Sequence, residues 1–172
     1  MKPIPAVAAL AAVLLAAGCA GAPTLVATPL PGLTPEQMLA AIDAVAGDGE
    51  GELAVQPLRD PMVEDLRGQA QQARDQGRYA EAAAALDQAL EIVSADPALL
   101  QERAEVALLQ GDFGRAGGLA ERAFALGAQV GPLCRRHWAT IEQVRLVAGD
   151  AGGAESAGRQ VAGCTVAGPE RF

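Results

Sequence analysis

Apolar side chains follow two patterns along this chain. From Val7 to Ala17 they form an unbroken run, and from Met38 onward they recur three and four apart, the spacing of one face of an α-helix. Met38, Leu39, Ile42 and Val45 make the first such face. Thr34-Pro35-Glu36-Gln37 in front of it supplies a capping threonine, a first-turn proline and a glutamine three residues after the cap, and Gly47 ends it. Asp48 to Pro61, rich in Gly, Asp and Pro, predicts a loop with a short extended piece around Leu53 to Val55. From Met62 the helical spacing is nearly continuous, broken at Gly77, Asp96-Pro97, Gly111, Gly131-Pro132 and Gly149.

These breaks carry a repeat. Gly77-Arg78-Tyr79-Ala80-Glu81-Ala82 aligns with Gly111-Asp112-Phe113-Gly114-Arg115-Ala116 at an offset of 34 residues, each with an aromatic two after the glycine and an alanine five after it. Gly149-Asp150-Ala151-Gly152-Gly153-Ala154 is a weaker third copy, 38 residues later and without the aromatic. Glycine permits the sharp reversal between two helices, Tyr79 and Phe113 fill the space between them, and Ala82 and Ala116 allow close approach. Leu86, Ala89 and Leu90, and then Ala120, Ala123 and Phe124, give the second helices their buried stripes.

The period and the Gly-x-aromatic-x-x-Ala turn resemble the tetratricopeptide repeat family, over about Met62 to Val166. The resemblance implies an all-α fold: a short right-handed stack of two to three antiparallel helical hairpins, here with an extra N-terminal helix. Trp138 sits where the family often has a large aromatic on its first helix. Gln69 and Arg103 replace apolar residues usual on that helix, and Gly158 replaces a bulky packing residue in the third copy. In the hairpin arrangement Cys134 begins the first helix of copy three and Cys164 ends the second, which brings the two together for a disulfide; two separate buried thiols are the alternative. The family lines its concave face with the first helix of each hairpin. The matching positions here include Arg67, Gln71, Arg74, Gln101, Glu105, Leu108, Arg136, Ala139 and Gln143, a mix suited to an extended peptide or another helix, the alternative being an ordinary solvated face.

The amino terminus has the parts of a secretory signal over residues 1–18: Lys2, the apolar run, and small residues Ala16-Ala17-Gly18 before Cys19. That ending resembles the lipobox of bacterial lipoproteins, although Ala16 stands where Leu is common. The resemblance implies acylation of Cys19 and cleavage before it, and Ala20, not being aspartate, implies outer-membrane residence facing the periplasm. The alternative is an incidental thiol in an ordinary signal peptide. Residues 19–33, with Pro23, Pro29 and Pro31, read as an extended tether. The expected organisation is therefore signal peptide 1–18, tether 19–33, helix and loop 34–61, repeat domain 62–168 and tail 169–172.

Composition narrows the chemistry. Half of the residues are apolar but only 3% aromatic, which suits alanine-lined helix seams. Without residues 1–18 the chain has 12 Arg against 21 Asp and Glu, a net charge of −9, which excludes a basic footprint for nucleic acid. His137 is the sole histidine, and Ser94 and Ser156 lie in no nucleophile-like setting. Two cysteines and one histidine do not make a metal site, and no phosphate loop is present. The expectation is a non-catalytic adaptor that binds another envelope protein or peptide, touches the membrane only through its lipid, and uses no cofactor, metal, nucleic acid or small-molecule substrate. The alternatives are a self-associating structural lipoprotein and an accessory to a cell-envelope polymer enzyme.

Overall fold

The computed structural model describes residues 32–47 and 60–165. The signal-like segment, Cys19, the tether as far as residue 31, the extended piece around Leu53 to Val55 and the C-terminal tail lie outside the described residues. Seven helices are described: α1 (Pro35–Ala46), α2 (Pro61–Asp75), α3 (Tyr79–Ile92), α4 (Pro97–Leu109), α5 (Phe113–Leu126), α6 (Pro132–Val147) and α7 (Ala151–Gly163). Helices α2/α3, α4/α5 and α6/α7 form three successive hairpins, and each hairpin packs on the next through α3–α4 and α5–α6.

The hairpin turns are one device used three times. Gly77, Gly111 and Gly149 sit at φ +71°, +76° and +74°, a left-handed region that a Cβ disfavours. The residue after each glycine donates its N–H five residues back, Arg78 to Ala73 at 2.8 Å, Asp112 to Ala107 at 2.9 Å and Asp150 to Arg145 at 2.9 Å. Each glycine N–H reaches three back, which completes a Schellman cap on α2, α4 and α6. The weak third sequence copy thus turns in the same way as the first two. Asp112 and Asp150 then cap α5 and α7 through the N–H groups of Arg115 and Gly153.

Proline marks the other end of each hairpin. Asp96 caps α4 through Ala98 and Leu99, and Asp60 caps α2 through Met62, with Pro97 and Pro61 in the first turns. Helix α2 therefore begins at Pro61, the last residue of the expected loop, with Asp60 as its cap.

Alanine forms the seams between helices. Ala82, Ala116 and Ala154, each five after a turn glycine, are 0–2% exposed, and α3 buries Ala82, Ala83, Ala85 and Ala89 beside Leu86. Three buried clusters follow one another along the stack. The last holds Ala104, Ala120, Ile141 and Ala157, against which Trp138 packs while its ring meets Phe124 at 4.7 Å. Gln69 is exposed, whereas Arg103 is buried and paired with Asp87 at 2.8 Å. Gly158 leaves room for Glu142, whose carboxyl oxygen would lie 3.0 Å from an added Cβ. Cys134 and Cys164 are joined, with their Cα atoms 5.7 Å apart, and the Gly131 N–H bonds the Cys164 carbonyl at 2.8 Å.

Helix α1 is capped as its sequence predicts, with the Thr34–Gln37 box closed in both directions. Its buried stripe, however, is Met38, Ile42 and Ala46, while Val45 is 42% exposed. That stripe lies on α4 and α6, the first helices of the second and third hairpins, and joins a cluster with Ala107, Leu108, Ala116 and Ala139.

Candidate functional site

With α1 seated on α4 and α6, part of the inner face is covered and part remains open. The open part is a cavity of about 490 Å³ between α2, α4 and α6. Six of the nine groove residues expected from sequence line it: Arg67, Gln71 and Arg74 from α2, Gln101 and Glu105 from α4, and Arg136 from α6. Leu108 does not. It is 0% exposed beneath α1, as is Ala139 at 2%, so neither is available to a partner. Gln143 also lies outside the cavity, further along α6. Leu108 and Ala139 are lost to the groove for one reason: the hairpin repeat predicts an inner face, and α1, an element outside the repeat, packs over part of it.

The cavity floor is a connected polar network. Glu105, 1% exposed, accepts from Arg74 at 3.3 Å on one side and from Arg136 on the other, where a second contact measures 3.0 Å. Gln101, also 1% exposed, donates its amide to Glu105 at 3.0 Å and to Thr140 at 2.8 Å. Its carbonyl oxygen faces His137 Nδ1 at 2.7 Å. Because the Gln101 amide is occupied twice as a donor, the network assigns the proton to His137 Nδ1, and Nε2 is left as a buried acceptor without a partner among the described residues. Thr140 passes its own proton to the Arg136 carbonyl at 2.9 Å. From α1, Asp43 accepts from Arg136, and the Ala46 carbonyl accepts from Arg135 at 2.9 Å. Thus α1 is tied to α6 by charge as well as by apolar contact.

These contacts set the protonation states. Burial opposes the charge of Arg136, but hydrogen bonds and charge from Glu105 and Asp43 outweigh it and hold the guanidinium above its ordinary value. The hydrogen bonds of Glu102, and then its charge with that of Glu64, do the same for Arg67 against its burial. Burial, followed by the Arg136 charge, lowers His137 to about 4, so it is neutral near pH 7. A neutral, enclosed imidazole with one nitrogen committed to Gln101 is poorly placed to serve as a base. Among the described residues no group of three or more His, Cys, Asp and Glu could hold a metal ion, and no helix is long and apolar enough to cross a membrane.

Sequence reasoning missed Glu102, Asp43, Thr140 and the role of His137. A signal for Glu102 was present: Arg67 and Glu102 are 35 residues apart, and Arg74–Glu105 and Glu105–Arg136 are each 31 apart. Opposite charges one repeat apart on successive first helices face each other across the stack. Asp43 had no such signal, because α1 lies outside the repeat.

The described residues form an all-α stack of three hairpins with a charged inner groove, a helical-repeat class of fold. No protein-family model and no curated protein sequence matches the chain. Among solved structures it is similar to the globular C-terminal domain of LpoP from P. aeruginosa, at 32% identity and a TM-score of 0.57, over 61% of this chain and 99% of that one. At that identity over nearly the whole of the solved domain, the chain belongs to the family of the LpoP globular C-terminal domain.

Proposed function

We propose that this chain is a non-catalytic adaptor of the bacterial cell envelope, whose helical body holds a segment of another envelope protein in the groove between α2, α4 and α6. The observation that carries this reading is the cavity itself: α1 covers the apolar half of the inner face and leaves open the half lined by Arg67, Arg74 and Arg136. Apolar closure on one side and a polar, arginine-rimmed groove on the other suit recognition of a peptide through side-chain hydrogen bonds. The tetratricopeptide-like pattern and the lipobox-like ending before Cys19 support, on the sequence side, a repeat module tethered by lipid to the outer membrane and facing the periplasm. The alternative within this reading is that the partner is an enzyme of a cell-envelope polymer, to which this chain would be an accessory.

A photoreactive residue in living cells tests the groove. Gly68 lines the cavity, and a Cβ added there meets nothing within 4 Å; Gly118 on α5 is equally open and lies outside the cavity. The expected result is a discrete cross-linked envelope protein from position 68, absent from position 118 and lost when Arg74→Glu is added. Cross-links from position 118 alone would place the partner on another face and end this reading.

A further inference from the structure

The groove has donors left over. A guanidinium carries five N–H groups. Arg74 commits one nitrogen to Glu105 and another to Gln71, and Arg136 commits Nε and Nη2 to Glu105 and Asp43. Arg74 Nε and Arg136 Nη1 make no hydrogen bond among the described residues, although both side chains line the cavity and remain 23% and 26% exposed. The carboxylate between them, Glu105, is sunk in the floor with 1% of its side chain exposed. Two guanidiniums therefore face one opening, their shared carboxylate lies below it, and unused donors remain. The acidic side chains Glu64 and Glu102 are held at the other end of α2 by Arg67.

We propose that Arg74 and Arg136 jointly receive an acidic side chain of an extended partner segment, seated above Glu105; this rests on the groove reading given above. A carboxylate matches the paired N–H geometry of guanidinium, and bridging two arginines would satisfy the donors that the fold leaves open. The lining runs from Glu64 to Arg74 on α2, eleven residues spanning about 15 Å of helix, which accommodates four to five residues of extended chain. An extended segment of that length offers its side chains to the lining, and the carboxylate assigned to the arginine pair is that of an internal Asp or Glu of the partner. Asp43, 53% exposed on α1, is the competing acid that already draws on Arg136.

Side-chain Nε–H resonances of arginine in the isotope-labelled full chain read this contact even when it is weak. The Arg74 signal is identified by its disappearance in Arg74→Lys. Three pentapeptides serve as probes: one with blocked ends and a central aspartate among alanines, its asparagine counterpart, and pentaalanine with a free carboxyl end. The aspartate peptide is expected to move the Arg74 signal at roughly fivefold lower concentration than the asparagine peptide, the scale of one partly exposed ion pair. Asp43→Asn is expected to lower the concentration needed, by freeing Arg136, and melting of that variant separates this effect from loss of fold. Equal shifts with aspartate and asparagine, or no shift at Arg74 in either background, overturn the proposal. A shift from the free carboxyl end alone also overturns it, by assigning the pair to a chain terminus. Cross-links from position 68 together with either negative outcome leave the groove reading standing and remove only the acidic one.

Discussion

Ile42→Ala is the substitution that most directly tests how α1 is held. Ile42 is 0% exposed and packs against Leu108, Ala107 and Ala139, and only Met38 and Ala46 are buried beside it on the same helix. Truncation to alanine removes three carbons, about 2.4 kcal/mol of transfer free energy at roughly 0.8 kcal/mol per group. A residual cavity adds to this, giving about 3–4 kcal/mol within the range measured for such truncations. The loss falls on one element, because α2 to α7 pack through clusters of their own. The expected signature is therefore local. Backbone amides of α1 exchange with solvent roughly a few hundredfold faster, while those of α2 and α3 change little. Val45→Ala, at a position 42% exposed on the same helix, is the control and shifts stability by less than about 0.5 kcal/mol. Exchange measured by mass spectrometry decides the matter. An α1 acceleration below tenfold, or an equal acceleration across all helices, would refute the claim that α1 is a separately docked element anchored by this side chain.

Two further outcomes follow from the same structure. His137 has its folded-state value lowered to about 4 from an ordinary 6.5, so the unfolded chain binds the proton first. Stability is then fully present above about pH 6.5 and declines as pH falls toward 4, by about 2–3 kcal/mol. Subtracting the profile of His137→Gln from that of the wild type, by urea denaturation at each pH, isolates this slope from the carboxylates; parallel profiles would contradict it. The Cys134–Cys164 link closes a separation of 30 residues and contributes roughly 3–4 kcal/mol in the chain-entropy account. Because α7 buries only Ala154 and Ala157 among its own residues, Cys164→Ser is expected to free α7 first, seen as early loss of its amide protection. An unchanged denaturation midpoint in that variant counts against the bond as the anchor of α7.

The local grammar of the fold was legible in the residues. Caps, first-turn prolines and turn glycines act within five residues of themselves, so Thr34, Asp96 and Gly111 announce their helix ends regardless of what surrounds them. The 34-residue spacing of Gly77 and Gly111 likewise implies hairpins that repeat, and with them an inner face on which six of nine named residues do meet. Three departures share a cause. Helical spacing places Val45 on the buried side of α1, and the likeness to the tetratricopeptide family places Leu108 and Gln143 in the groove, each by considering one helix at a time. Periodicity says that a helix has a face to bury but not which surface receives it, since the 3.6-residue period is indifferent to partner. The receiving surface for α1 is chosen by contacts such as Arg135 with the Ala46 carbonyl and Arg136 with Asp43, which lie 89 and 93 residues apart in the chain. The same holds for Glu105: its sequence position marks it as a groove carboxylate, and only the packing of three first helices makes it a buried ion gripped by two arginines. Short-range backbone chemistry writes the hairpins into the sequence. Which face of the stack closes and which stays open is settled only when distant helices compete for the same surface.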